Sequence, residues 1–159
     1  MIRKFVLTLC LLTFTCVSTP PATPTPTLSE MNAELDAAIA QARDSLPTFI
    51  QTIATPHADR TFVAVKVRFF PPGESPQDIW VDDVTYTDGV FHGNMGDDIP
   101  SLKLELGEKI SINEKDILDW MIVQDGKLIG GYTIRLAVQR MSPEEREQFL
   151  QTLDYVIED

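Results

Sequence analysis

Ile79-Trp80-Val81-Asp82-Asp83-Val84-Thr85-Tyr86-Thr87-Asp88-Gly89-Val90-Phe91-His92-Gly93 is the stretch whose reading decides the fold. Asp88-Gly89 tolerates positive φ at both central positions of a type I′ turn, so the stretch closes into a two-residue hairpin. The register follows. Thr87 faces Val90, Tyr86 faces Phe91, Thr85 faces His92, Val84 faces Gly93 and Asp83 faces Asn94. Side chains alternate across a strand, so one face gathers Trp80, Val84, Tyr86, Phe91 and Met95. The other gathers Asp83, Thr85, His92 and Asn94. Asp82 falls among the apolar set, which predicts an edge position, a bulge or a partner for it.

The same design recurs downstream. Asp119 to Val123, Asp125-Gly126 and Lys127 to Ile129 form a second hairpin, and both hairpins read D-G-x-x-x-G. Trp120 lies opposite Gly131 in that register, where a missing side chain leaves room for the indole. A phosphate-cradling loop lacks the Lys-Ser/Thr or G-x-G-x-x-G pattern it needs. Arg60 to Phe70 alternates as a strand, with Val63, Val65, Val67 and Phe69 on one side and Ala64, Lys66 and Arg68 on the other. Lys109 to Ile112 is a further short strand, and Asn113 is placed to cap a single helical turn.

Helices flank these strands. Thr27-Leu28-Ser29-Glu30 is a capping box. Leu28, Met31, Leu35, Ala38, Ile39, Ala42 and Leu46 then share one face, and Pro47 kinks or restarts the helix before Phe49, Ile50 and Ile53. Residues 132–141 fit either a strand or a short helix, with the helix favoured because Ser142-Pro143-Glu144-Glu145 opens the next one so cleanly. Phe149, Leu150, Leu153, Val156 and Ile157 share its face. The expected fold is α+β: an antiparallel sheet of five or six strands built from hairpins, covered by an N-terminal and a C-terminal helix. Its expected core is Trp80, Val84, Tyr86, Phe91 and Trp120.

The beginning of the chain reads differently. Arg3 and Lys4 precede an uncharged run, Phe5 to Val17, too short for a span of about 20 residues but suited to a signal peptide over 1–17. Cys16 is placed to become a lipidated first residue, although Thr13 and Thr15 stand where a lipobox prefers Leu and a small residue. Ordinary cleavage near Ser18 is the alternative. Ser18 to Thr27 holds four prolines and four threonines. The Pro/Thr-rich spacer, 18–28, favours an extended chain rising about 3.1 Å per residue. Residues 29–159 then form one globular domain.

The chain has 159 residues, 43% apolar and 23% charged, with a formal charge of −11. Removing Arg3 and Lys4 leaves 11 basic against 24 acidic residues, a charge of −13. Such a surface repels phosphate backbones, so nucleic-acid binding is disfavoured, while a basic protein partner is compatible. Membrane association would run through a lipid anchor at Cys16. Cys10 and Cys16 are the only cysteines, so the domain must rest on its apolar core rather than on a disulfide.

The series Phe62-Val63-Ala64-Val65-Lys66-Val67, Trp80-Val81-Asp82-Asp83, Asp88-Gly89-Val90-Phe91-His92-Gly93, Leu106-Gly107-Glu108, Asp119-Trp120-Met121 and Gly130-Gly131-Tyr132-Thr133-Ile134-Arg135 resembles the YegJ-like bacterial domain of unknown function. The resemblance covers about Met31 to Arg135. It implies a small bacterial α+β domain, sometimes exported, and no established activity.

Catalytic machinery is sparse. There is no G-x-S-x-G, no H-E-x-x-H and no Cys/His zinc spacing. The candidate constellation is Asp83, His92 and Asn94, where an Asp-His pair on adjacent strands can orient an imidazole as a general base of a hydrolase. With Asp97 or Asp98 it could hold a cation. The competing reading is the solvated face of a sheet, with Lys66 and Arg68 neutralising Asp83. His57 is read as an exposed loop residue and Arg135 as a member of a structural ion pair. The expectation is a non-catalytic envelope binding module, with no cofactor and no metal.

Overall fold

A computed structural model describes residues 27–158. The expected signal peptide, Cys16 and most of the Pro/Thr spacer lie outside these residues. The elements are α1 (Leu28–Asp44), α2 (Leu46–Ala54), β1 (Arg60–Phe69), β2 (Gln77–Thr87), β3 (Val90–Met95), β4 (Lys109–Ile112), β5 (Ile117–Gln124), β6 (Lys127–Gly130), α3 (Tyr132–Arg140) and α4 (Pro143–Gln151). Short 3₁₀ turns span Pro100–Leu102 and Glu114–Asp116. The strands form one sheet in the order β4-β3-β2-β1-β5-β6, antiparallel throughout. The fold is α+β with a six-stranded antiparallel sheet, as expected.

Local chemistry explains the helix boundaries. Thr27 and Glu30 form the capping box that starts α1, and Ser142 and Glu145 form another at α4. Each satisfies backbone N–H groups that have no partner inside the helix. The break between α1 and α2 falls at Ser45, two residues before Pro47. Asn113 occupies the predicted capping position but makes no side-chain capping bond.

One sheet face carries the main core. Val65 and Val67 of β1, Val81 and Val84 of β2, Phe91 and Met95 of β3, Ile112 of β4, and Trp120 and Ile122 of β5 pack against Ala42, Leu46 and Phe49. Phe49 stacks on Trp120 at 5.0 Å between ring centroids and on Phe91 at 6.0 Å. Tyr86, half-buried, tilts against Phe91 at 4.6 Å. The first turn of α1 overhangs this core: Leu28 is 74% exposed, although the apolar stripe includes it.

The opposite face is divided. Across β1, β5 and β6, Ala64, Met121, Val123 and Leu128 are buried beneath Phe62, Trp80, Ile134 and the tail residues Tyr155 and Ile157. The tail also pairs with β6: Leu128 N–H donates to Val156 O at 2.9 Å and Val156 N–H to Gly126 O at 2.8 Å. That contact blunts an otherwise open sheet edge. Helix α4 itself buries no residue completely, so α3 and the tail supply most of the C-terminal cover, and the apolar face does not continue as helix beyond Gln151. Across β2, β3 and β4 this second face is left open by the described residues.

Trp80 requires a correction. It was expected beside Val84, Tyr86 and Phe91, yet it lies half-buried on the second face, 5.5 Å from the Lys66 ammonium. The cause is a bulge. Pairing runs Thr85 with His92 and then skips to Asp82 with Asn94. The inserted residue, Asp83, has φ 52. One extra residue inverts the alternation for everything before it. Val81 and Val84 both turn into the core, and Gly93 accommodates them: a Cβ there would come within 2.7 Å of Val81 Cγ1 and 2.8 Å of Asp82 O.

The Gly130-Gly131 pair is likewise steric. A Cβ on Gly130 would meet Trp120 O at 2.5 Å and its ring at 2.6 Å, and one on Gly131 would meet Leu128 at 2.8 Å; both have positive φ. Gly126 also has positive φ but nothing near its missing side chain. Gly130→Ala should therefore destabilise the fold by about 3 kcal/mol or more, combining overpacking with backbone strain. Gly126→Ala should cost only about 1 kcal/mol from the backbone alone. Urea midpoints of the two variants test the ordering, and equal losses would contradict the packing argument.

Candidate functional site

The open half of the second face carries the residues singled out from the sequence. Asp83 and Thr85 of β2, His92 and Asn94 of β3, and Lys109 and Ser111 of β4 line one shallow depression of about 540 Å³. The bulge places Asp83 there. Its left-handed backbone turns the carboxylate outward, and Asn94 Nδ2 donates to Asp83 Oδ2 at 3.0 Å. His92 pairs instead with β4, its Nδ1 lying 3.2 Å from Ser111 Oγ. Asp83 and His92 share no hydrogen bond or ion pair, so the orienting contact required of a catalytic dyad is not made in this arrangement.

The expected neutralisation of Asp83 is also redirected. Arg68 forms a bidentate pair with Asp78 at 2.7 and 2.8 Å. That pairing holds the Asp78 carboxyl below its ordinary value. Lys66 Nζ reaches Thr133 Oγ1 at 3.3 Å and sits over Trp80. Asp82, half-buried next to the bulge, has its carboxyl pushed up by burial and then by the Asp83 charge.

Asp97 and Asp98 do not join a cation cluster with His92. Asp98 accepts from Leu106 N–H at 2.6 Å, and Asp97 accepts from Asp98 N–H at 2.8 Å, which fixes their loop. The described histidine and carboxylate groups close enough to share an ion are His57, Asp59 and Asp125, whose ligand atoms lie within 4.8 Å of one another.

The least expected feature is buried. Asp119 of β5 is fully inaccessible. Its Oδ1 accepts from Trp120 N–H at 2.8 Å and Tyr132 N–H at 3.2 Å; its Oδ2 accepts from Thr133 N–H and Thr133 Oγ1, each at 2.7 Å. The carboxylate thus takes the first N–H groups of α3, where the helix dipole favours negative charge. Burial raises its pKa above the ordinary value, while the Thr133, Trp120 and Tyr132 hydrogen bonds pull the other way.

Trp120 Nε1 donates to Ala42 O and to Ser45 Oγ, each at 3.0 Å. Arg135 donates Nε to Gly130 O and Nη2 to Leu128 O, each at 2.8 Å, and Nη1 to Glu158 O. Its partners are backbone carbonyls rather than the carboxylate expected. The D-W-M and G-G-Y-T-x-R motifs therefore form one structural joint between β5, β6, α3 and the tail.

Fold and site together define a small α+β domain whose recurrent motifs serve its architecture. The chain belongs to the bacterial family described as uncharacterized protein conserved in bacteria (DUF2314), whose model matches residues 32–155, in agreement with the resemblance read from the motif series. It is 32% identical over 149 residues to the uncharacterized protein YegJ of Escherichia coli (strain K12), covering 92% of this chain and 95% of that one. It is 37% identical over 92 residues to the putative ankyrin repeat protein NMB1133/NMB1171 of Neisseria meningitidis serogroup B (strain ATCC BAA-335 / MC58), covering 55% of this chain and 36% of that protein. No solved structure matches the chain significantly.

Asp119→Asn should destabilise the domain by about 2–4 kcal/mol, because an amide nitrogen would face N–H donors in a buried site. Its pH signature has a defined sign. A carboxyl with a raised folded-state pKa makes the native state bind the proton more tightly. The associated stability is therefore greatest below the ordinary value of about 4 and declines as pH rises through the folded value. Urea titrations of both proteins across this range should show a more negative stability slope for wild type than for Asp119→Asn.

Proposed function

We propose that the protein is an exported, membrane-tethered, non-catalytic binding module of the bacterial cell envelope. The observation that carries this reading is the order of features before the domain: Arg3-Lys4, the uncharged run to Val17, Cys16 within it, and the Pro/Thr spacer. That order matches a signal, an anchor point and a stalk of roughly 30 Å. The folded domain starts where the stalk ends, since α1 is capped by Thr27. Among the described residues no helix is long and apolar enough to cross a membrane, so the tether would rest on Cys16.

The partner is read from charge. With Arg3 and Lys4 removed, the chain carries 24 acidic residues against 11 basic ones, which favours a basic protein surface and disfavours nucleic acid. The polar depression around Asp83, His92 and Asn94 is the surface offered. It lies on the sheet half that α3 and the tail leave uncovered.

Fractionation tests the tether. The wild-type chain should sediment with membranes, and Cys16→Ser should move it to the soluble envelope fraction; an unchanged distribution would remove the lipid anchor and favour cleavage near Ser18. Cross-linking in envelope extract tests the partner reading. A captured basic protein should be lost at high salt and in Asp83→Lys, because rim charges act through screened electrostatics.

A further inference from the structure

We propose that His57, Asp59 and Asp125 form a surface site for a divalent transition cation of the zinc type. This inference does not depend on the tethering reading. The three side chains come from two segments far apart in sequence. His57 and Asp59 lie in the α2–β1 connection, and Asp125 is the first central residue of the β5–β6 turn. Their potential ligand atoms all lie within 4.8 Å of one another, and His57 Nε2 is 3.7 Å from Asp125 Oδ2. A metal with bonds of about 2.1 Å holds its ligand atoms about 3.0 to 4.2 Å apart, so side-chain shifts of an ångström or less close the set.

The backbone beneath the cluster is already fixed. Asp125 N–H donates to Asp59 O at 3.1 Å. Arg60 pairs with Gln124 in the β1–β5 register and donates to Gln124 Oε1 at 3.2 and 3.3 Å and to Thr52 O at 2.8 Å. The two ligand-bearing segments are therefore held together by the ends of two central strands, the preorganisation that a metal site requires. Lys127, next along the turn, is taken by Glu158 at 2.6 Å.

The donor set selects the ion. One imidazole nitrogen with two carboxylate oxygens suits zinc-like metals and leaves positions for water. Calcium and magnesium prefer oxygen-only shells. One contact must yield on binding. Asp59 N–H donates weakly to His57 Nδ1 at 3.3 Å, which favours the tautomer with its proton on Nε2. Coordination through Nε2 moves that proton to Nδ1 and breaks this bond; coordination through Nδ1 displaces it directly.

The test uses Zn²⁺ and the full chain in a Cys10→Ser/Cys16→Ser background, so that thiolates do not compete. Competition with a chromophoric chelator should give one Zn²⁺ per chain. His57→Ala and Asp125→Asn should each weaken binding about tenfold or more, and Co²⁺ should give visible ligand-field absorption that is lost in His57→Ala. All three side chains are exposed, so thermal melts of the metal-free variants should match the parent. No Zn²⁺ uptake by the parent, unchanged affinity in His57→Ala, or a loss that follows His92→Ala instead would overturn the proposal.

Discussion

A carboxylate buried from the protein surface sits at the joint of this fold. Burying Asp119 alone would cost several kcal/mol. The cost is offset because four donors converge on it, two of them the leading N–H groups of α3. The side chain therefore does what an N-capping residue does, but from a neighbouring strand. It fixes where α3 begins relative to β5. The adjacent Trp120 does the same for α1, since its indole N–H is bonded to Ala42 O and Ser45 Oγ. Two consecutive residues, pointing to opposite faces, thus pin the start of α3 and the end of α1.

From that joint the asymmetry of the sheet follows. The turn into α3 needs two left-handed glycines, and their missing side chains admit the Trp120 ring and Leu128. Arg135 of α3 then reaches back to Leu128, Gly130 and Glu158 carbonyls, which draws the tail over β6. The β5–β6 half of the second face is closed by this chain of contacts, and β5 is buried along almost its whole length. Among the described residues nothing comparable reaches β2, β3 and β4. Their outward side chains remain Asp83, Thr85, His92, Asn94, Lys109 and Ser111, so the open platform is the complement of the joint.

Features decided by neighbouring residues were legible in the sequence. Asp88-Gly89 and Asp125-Gly126 adopt the positive φ values expected of type I′ turns, and the Thr27 and Ser142 capping boxes form as written. The first three pairs of the β2–β3 register also stand as read. Features decided across the chain were not. Asp119 reads as one polar residue in Ile117-Leu118-Asp119-Trp120-Met121-Ile122-Val123, and its partners lie beyond the next strand. The signal that was there is the unbroken apolar run around it, which marks a strand covered on both faces. His57, Asp59 and Asp125 meet only because β1 pairs with β5, a long-range contact that no local pattern encodes.

The bulge at Asp83 shows why the candidate site was half-read. Strict alternation placed Asp82 in the core, which is physically untenable for an unpaired carboxylate, and the conflict itself marked the irregularity. Resolving it by inserting one residue has three consequences at once. Trp80 leaves the main core and covers Lys66. Val81 joins Val84 against Gly93. Asp83 is turned out to meet Asn94, while Asp82 stays half-buried with its carboxyl raised by burial and by its neighbour's charge. One extra residue thus settles both the packing of the first hairpin and the presentation of Asp83. The Asp83 carboxylate so presented is bonded to Asn94, while His92 is bonded to Ser111 on the next strand.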